Sequence, residues 1–170
     1  MAGVTAKIAL YLNARLTAAP VGADIPQFNA DVAHILEFTP GTNAVDKADL
    51  FYRAVRPLAG AANEDLDLAG VLANVFGSVL VAAEILVLLI EAADANTANI
   101  RVGPAAANGF TGPFNDATDR VNVKPGEYQL FVSQSGYPVV AGTGDKINVL
   151  NTGGAAVNYT ITVIGRTVAA

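Results

Sequence analysis

The chain has 170 residues and no cysteine, which suits one domain over residues 1–170 and excludes disulfides, thiolate chemistry and cysteine zinc sites. Its net charge is −5 and its ten Lys and Arg residues are scattered, which argues against a nucleic-acid partner, since phosphate binding needs clustered cations. Hydrophobic residues make up 52%, a high fraction for a soluble monomer, which indicates surface buried against other subunits.

Residues 1–40 are predicted to form a strand followed by an extended arm. From Ile8 to Thr17 apolar and polar side chains alternate, as in a half-buried strand. A secretory signal is the alternative, because one lysine precedes the apolar run and small residues follow it. Asn13 and Arg15 interrupt that run, whereas a signal needs roughly 7–15 uninterrupted apolar residues. We therefore favour the strand.

The next segments also alternate with a period of two. Residues 31–39 and 49–57 both show this pattern, which predicts two further strands. His34 shares a face with Val32 and Leu36, so a half-buried sheet histidine is favoured over a catalytic base. Only Leu68–Gly77 has the pattern of a helical turn.

The most apolar stretch, Ser78–Ala93, has three interpretations. A membrane span needs about 20 apolar residues. Glu84 in the middle of the stretch, where a charge costs several kcal/mol, makes a span improbable. Alanine, leucine and glutamate favour a helix. The β-branched residues favour a strand, and a strand covered on both faces shows no alternation. The pattern alone leaves helix and strand open.

If this stretch is a strand, Glu84 lies among apolar side chains and needs a cation or several donors. Arg53 and Arg56 are the candidate partners, because arginine can hold a carboxylate with two hydrogen bonds. The alternative is an exposed carboxylate at the rim of the strand.

The C-terminal half contains two strand–turn–strand units, with turns at Pro125-Gly126 and at Gly153-Gly154. Many short strands at close spacing are typical of a sandwich or jelly roll. We predict an all-β, single-domain β-sandwich or jelly roll with at most one short helix near Leu68–Gly77.

Several short motifs occur between Lys47 and Arg166: EDLDLAG…FG, the long apolar run, AN…N.RVG, KPGE and a closing VNYTITVIG. Together they resemble small β-sandwich, jelly-roll-like structural proteins of tailed bacteriophage virions. The resemblance rests on glycines, asparagines and apolar runs rather than on a catalytic signature. It implies a strand over Ser78–Ala93 and a structural role in the virion.

The sequence contains no motif for nucleophilic catalysis. His34 is the only histidine, which leaves no histidine-rich metal cluster. The three serines, Ser78, Ser133 and Ser135, lie in no nucleophile motif. We expect no catalytic residue and no enzymatic activity.

Two loops resemble ligand-binding motifs but miss required residues. Glu64, Asp65 and Asp67 look like the start of a calcium loop. Counted from Asp65, however, the fifth and twelfth positions are Ala69 and Phe76, which cannot supply the expected ligands. The segment AGTGDK lacks the Gly-Lys pair and the following Ser or Thr of a phosphate loop. We therefore expect no metal and no cofactor site.

We expect a non-enzymatic virion structural protein that binds the capsid surface as a cement or decoration protein. It would self-associate, with a trimer favoured, and would bind the major capsid protein or another virion protein. It would be located in the virion after assembly in the host cytoplasm, with no membrane partner. The alternatives are a tail or neck component, a carbohydrate- or receptor-binding jelly-roll module, and a hydrolase on a sandwich scaffold, which the missing nucleophile makes improbable.

Overall fold

The computed structural model describes residues 3–17, 19 and 27–170. The described residues form strands and loops without a helix, so the helical turn predicted at Leu68–Gly77 is a series of tight turns instead. The strands are β1 (Ala6–Thr17), β2 (Gln27–Pro40), β3 (Lys47–Ala48), β4 (Leu50–Leu58), β5 (Asn63–Asp67), β6 (Glu84–Ala92), β7 (Ile100–Pro104), β8 (Val121–Val123), β9 (Tyr128–Pro138), β10 (Lys146–Asn151) and β11 (Val157–Arg166).

Strands β4 to β11 form two four-stranded antiparallel sheets, in the orders β4-β11-β6-β9 and β5-β10-β7-β8. Consecutive strands alternate between the sheets, except β7 and β8, which are neighbours in one sheet. Eight strands wound in this way are a double-sheet jelly roll. The predicted all-β fold class is confirmed.

The main hydrophobic core lies between the two sheets. Alternate residues of β10 and most alternate residues of β11 are buried, as the period of a strand with one covered face requires. Leu88 and Ile161 from one sheet and Val102 and Val149 from the other are completely buried in this core. Each such side chain stabilises the fold by about 1.5–3 kcal/mol.

The two predicted strand–turn–strand units are arches between sheets rather than hairpins. The turn at Pro125-Gly126 connects β8, which pairs with β7, to β9, which pairs with β6. The turn at Gly153-Gly154 connects β10 to β11, again in different sheets. Alternation shows which residues face the core, but both sheets face the same core, so it does not assign a strand to a sheet.

The most apolar stretch forms the interior strand β6, between β11 and β9, so the strand interpretation is confirmed and the helix is excluded. The strand begins at Glu84 rather than Ser78. Its register shifts near Leu86, and both Leu86 and Val87 join a second core on the outer side of the sheet. Among the described residues, no helix is long and apolar enough to cross a membrane.

The N-terminal strands form a long hairpin, which we call the arm (β1 and β2). They pair antiparallel without a register shift, from Ala6 opposite Phe38 to Thr17 opposite Gln27. The strands predicted from Ile8 to Thr17 and over residues 31–39 are confirmed, although the second strand begins earlier, at Gln27, so the segment predicted as an extended arm is part of this hairpin. Residues 1, 2, 18 and 20–26, part of the segment considered as a signal, lie outside the described residues.

The base of the arm is anchored on the outer face of the β4-β11-β6-β9 sheet. Phe38 is completely buried there against Leu86, Val87 and Ile164, and the short strand β3 joins β2 in parallel. Beyond this contact every residue from Ala9 to Thr17 is exposed. The arm therefore projects from the jelly roll, and both of its faces are in contact with solvent.

Candidate functional site

The arm has one strongly apolar face, which we call the arm face. Side chains of even-numbered residues point to it from both strands, because the register pairs even with even. The arm face consists of Ala6, Ile8, Leu10, Leu12, Ala14 and Leu16 from β1 and Phe28, Ala30, Val32, His34, Leu36 and Phe38 from β2. His34 is its only polar side chain.

The outer part of the arm face is uncovered. Leu12 is 55% exposed, Leu16 69% and Phe28 67%. An isolated two-stranded hairpin is only marginally stable in water. A contiguous exposed apolar patch on a soluble protein marks an interaction site. The outer arm face is therefore the main candidate for a binding surface on this chain.

The opposite face of the arm mixes polar and apolar side chains. Lys7 and Glu37 form an ion pair of 2.8 Å across the strands, and the hydrogen bond from Lys7 lowers the pKa of Glu37. Asn13 lies opposite Asp31 further out. This face can remain in water, so the two faces differ in what they can bind.

His34 lies on the arm face opposite Leu10 and is exposed rather than half-buried. The alternation predicted its face correctly. The described residues leave that face exposed at this position, and alternation carries no information about whether a face is covered. As the only histidine, it has no second imidazole with which to bind a metal.

A second exposed apolar feature lies in the loop between β5 and β6. Ala73 and Val79 form an isolated bridge, and the Asn74 side-chain oxygen accepts hydrogen bonds from the backbone N–H groups of Phe76 (2.9 Å) and Ser78 (3.1 Å). Gly77 closes the turn with a φ of 78°, a value that favours glycine. We call this small hairpin, residues 73–79, the knob.

The knob holds two apolar side chains in solvent at its tip. Phe76 is 88% exposed and Val75 77%. On the inner side of the same loop Leu72 and Leu80 are buried in the core, which fixes the position of the knob. The prediction of a helical turn missed this feature, although the Asn-Val-Phe-Gly sequence is itself a turn signal.

A groove runs between the knob, the start of β4 and the segment before β1. It consists of two adjoining cavities of about 320 and 390 Å³ that share Asp49, Phe51 and Asn74. The apolar side chains along the groove are Val4, Leu50, Phe51, Val75, Phe76, Val79 and Leu80. The groove offers an open apolar surface at the root of the arm.

Glu84 on β6 has the cationic partner that the sequence predicted, but this partner is not one of the two expected arginines. Glu84 is buried and accepts a hydrogen bond from Arg166, which is fully buried at the end of β11. The expected partners are engaged elsewhere: Arg53 lies 3.7 Å from Glu91 on the surface, and Arg56 binds Glu64. Glu84 is therefore a paired interior carboxylate, and the assignment to Arg53 or Arg56 was wrong.

Another polar network joins β4, β5 and β11. Arg56 donates to both Glu64 oxygens, and the Tyr159 hydroxyl donates to Glu64 at 2.7 Å. Burial acts to raise the pKa of Glu64, but the hydrogen bonds from Arg56 and Tyr159 outweigh it, so the pKa is lowered. Burial, followed by the bond to Glu64, raises the pKa of Tyr159. Near neutral pH neither group exchanges protons, so the network is suited to holding strands together rather than to acid–base chemistry.

No protein-family model matches the chain. No curated protein matches it either. The function is therefore argued from the geometry, together with the sequence resemblance.

The acidic residues considered for calcium are used in other ways. Glu64 belongs to the network with Arg56, Asp65 accepts a hydrogen bond from Asn148 at 2.7 Å, and Asp67 accepts the backbone N–H of Ala69 at 2.8 Å. In the part of the chain that the structure describes, no group of three or more His, Cys, Asp or Glu side chains could hold a metal ion.

The other motifs also lie in closed local structures. The AGTGDK loop is a tight turn in which Val140 bridges Gly144 and the Asp145 carboxylate accepts the backbone N–H of Gly142. Ser133 and Ser135 lie on β9, with their hydroxyls 3.1 Å apart. Neither arrangement provides a general base beside a nucleophile.

Proposed function

We propose that this protein is a non-enzymatic virion structural protein of a tailed bacteriophage, which binds the capsid surface as a cement or decoration protein and self-associates. The observation that carries the proposal is the arm: a jelly roll with an apolar hairpin whose outer face is exposed among the residues that the structure describes. Adhesion requires such a surface and no reactive group.

The fold is compatible with this role without selecting it. Double-sheet jelly rolls occur in viral capsid proteins and also in lectins, so the fold alone does not fix a function. The sequence motifs between Lys47 and Arg166 favour the virion. A sugar platform is usually built on exposed aromatic side chains, and the chain contains no tryptophan.

A capsid offers many identical sites, which suits a small adhesive subunit. If several arms and jelly rolls bind one lattice together, each further contact forms at a high effective concentration. Modest single contacts then add up to stable attachment. A symmetric oligomer, with a trimer favoured, would match a local symmetry axis of the shell.

Location in the particle tests the proposal. Antibodies against the purified protein would be applied with gold labels to virions from a lysate of the strain that carries this gene. Label over the capsid shell is the expected result. Label confined to the neck or tail would replace the cement role by a tail role, and particles free of label and of the protein by mass spectrometry would refute a virion role.

A further inference from the structure

The chain carries two surfaces with exposed apolar side chains, the arm face, which protrudes, and the groove, which is recessed. The arm face exposes Leu12, Leu16 and Phe28, while the groove is lined by Phe51 and the knob. Within the described residues, neither surface is covered by its own chain. A ridge and a groove on the same molecule allow one copy to bind the next.

The arm cannot easily fill its own groove. The groove begins at residues 3–5, which lead directly into β1, and the paired register of the arm continues from there without a bulge. To reach this groove the ribbon would have to fold back on itself at its base. That base is fixed by Phe38 in the second core. The geometry therefore favours a groove on another molecule.

The arm is long enough to lie across a second copy. Its uncovered part, from Ala9 to Thr17, spans about 30 Å at roughly 3.3 Å per residue in a strand. A compact body of about 120 residues has a radius of gyration of about 14 Å. The arm therefore reaches across most of the width of a neighbouring jelly roll.

We infer that the arm of one copy lays its apolar face into the groove of the next copy, beside the knob, in a head-to-tail arrangement that closes into a ring. The inference deepens the proposed self-association and names its partner, a second copy of this chain. Copies joined head to tail form a closed ring when a whole number of equal rotations between neighbouring copies completes a full turn. A ring of three copies is favoured, because it would match a local symmetry axis of the proposed shell.

The area fits such an interface. The exposed apolar side chains of the outer arm face, among them Leu12, Leu16 and Phe28, offer on the order of 500 Å², near the upper limit for the largest patch on a typical monomer. Each copy in a ring buries one arm and one groove. The total then approaches the roughly 800 Å² per partner of a standard stable interface.

The charges favour a protein partner over a lipid surface or nucleic acid. The cations of the arm, Lys7 and Arg15, are balanced by Asp31 and Glu37, so it has no basic excess to attract phosphates. The arm face contains a single titratable group, His34, and the groove contains a single one, Asp49. Each surface therefore carries a single titratable group, and the groove adds the uncharged polar residues Thr5, Asn74, Ser78 and Thr167.

The first test compares two neighbouring residues on opposite faces of the arm. Leu12 and Tyr11 are similarly exposed, at 55% and 63%, so neither substitution removes a core side chain. Light scattering at micromolar concentration should show an oligomer for the wild type and for Tyr11→Asp. It should show a monomer for Leu12→Asp and for Phe76→Asp in the knob, all with unchanged circular dichroism. A monomeric wild type, or equal loss in Tyr11→Asp, would overturn the inference.

The second test uses the absence of cysteine in the chain. The double variant Leu12→Cys/Phe76→Cys, oxidised mildly, should form disulfide-linked multimers up to the size of the ring. The control Tyr11→Cys/Phe76→Cys should stay largely unlinked. If Leu12→Cys alone forms dimers as efficiently as the double variant, the arms pair with each other and the groove is not their site.

These tests are independent of the proposed function. If the protein is a monomer in solution and is found on the capsid shell, the binding of one copy's arm in another copy's groove is refuted and the virion role stands. If the protein forms a ring with the expected cross-links but is absent from virions, the virion role is refuted and the binding of the arm in the neighbouring groove stands.

Discussion

Glu84 and Arg166 form an ion pair inside the protein, between the first residue of β6 and the last residue of β11. The Arg166 side chain is fully buried and also donates hydrogen bonds to the carbonyl oxygens of Ala44 and Ser135. One guanidinium thus ties together two neighbouring strands, the segment before β3 and the bend in β9. It also fixes the region on which the arm is anchored.

Removing the carboxylate of this pair should strongly destabilise the fold. Glu84→Ala leaves the buried Arg166 without its counter-charge, and breaking a buried pair costs about 3–5 kcal/mol. Urea denaturation of the two proteins measures the difference in unfolding free energy. The matched control is Glu91→Ala on the same strand, whose pair with Arg53 is exposed and should contribute less than about 1 kcal/mol. Equal effects of the two substitutions would show that Glu84 is not held in a buried pair.

The bend in β9 beside this pair requires glycine. Gly136 has a φ of 84°, and a Cβ there would lie 2.8 Å from the Cβ of Glu84. Gly136→Ala therefore adds a steric clash to backbone strain. Gly142→Ala is the control, because its φ of 76° is similar but no atom lies within 4 Å of the added Cβ. Thermal unfolding should show a loss of about 1–2 kcal/mol for Gly142→Ala and a clearly larger loss for Gly136→Ala.

The network around Glu64 predicts a loss of stability in acid. The folded-state pKa of Glu64 lies below its unfolded value of about 4.3, so at neutral pH its ionised form stabilises the fold. As the pH falls below about 4.3, the unfolded chain binds the proton first, and the contribution disappears as the pH passes the folded pKa. Urea melts at pH 7, 4 and 3 should show a smaller decline for Glu64→Gln than for the wild type. Parallel declines would mean that Glu64 does not contribute to this acid sensitivity.

Much of the fold could be predicted from residue patterns, because a strand with one covered face must alternate. That reasoning located β1, β10 and β11, and it recognised that Glu84 among apolar neighbours needed a cation. It could not find Arg166, which lies 82 residues away and approaches Glu84 only through the pairing of β6 with β11. Arg53 and Arg56 were chosen as partners of Glu84 because they are near it in sequence, but nearness in sequence does not determine which strands pair.

The binding surfaces were harder to predict than the strands. Alternation on β2 gave His34 the correct face, and the same pattern in β1 and β2 could have suggested a hairpin. Whether a face is covered depends on distant parts of the chain, so the exposure of the arm face is visible only in three dimensions. The knob was missed because the leucines and alanines of the wider segment Leu68–Gly77 favour a helix locally, while Asn74 and Gly77 close a turn.

Asn151, a residue that the sequence reasoning did not single out, should be among the most sensitive polar positions. Its side chain is buried, donates to the carbonyl oxygens of Ala59 (2.9 Å) and Ala155 (2.7 Å), and accepts the N–H of Gly153 (2.9 Å). Asn151→Ala would remove these bonds at the arch between β10 and β11, leaving the Ala155 carbonyl and the Gly153 N–H without this partner, whereas the Ala59 carbonyl keeps the N–H of Ala62. An unsatisfied buried group costs about 1–3 kcal/mol.

Asn148 on the same strand provides the control. Its side chain donates to Asn63 (3.1 Å) and Asp65 (2.7 Å) at an exposed position, where water can replace both bonds. We expect Asn151→Ala to lose at least about 2 kcal/mol in urea denaturation and Asn148→Ala less than about 1 kcal/mol. If the two variants unfold at the same urea concentration, the Asn151 side chain does not hold the arch, and the backbone of the turn must be stable without it.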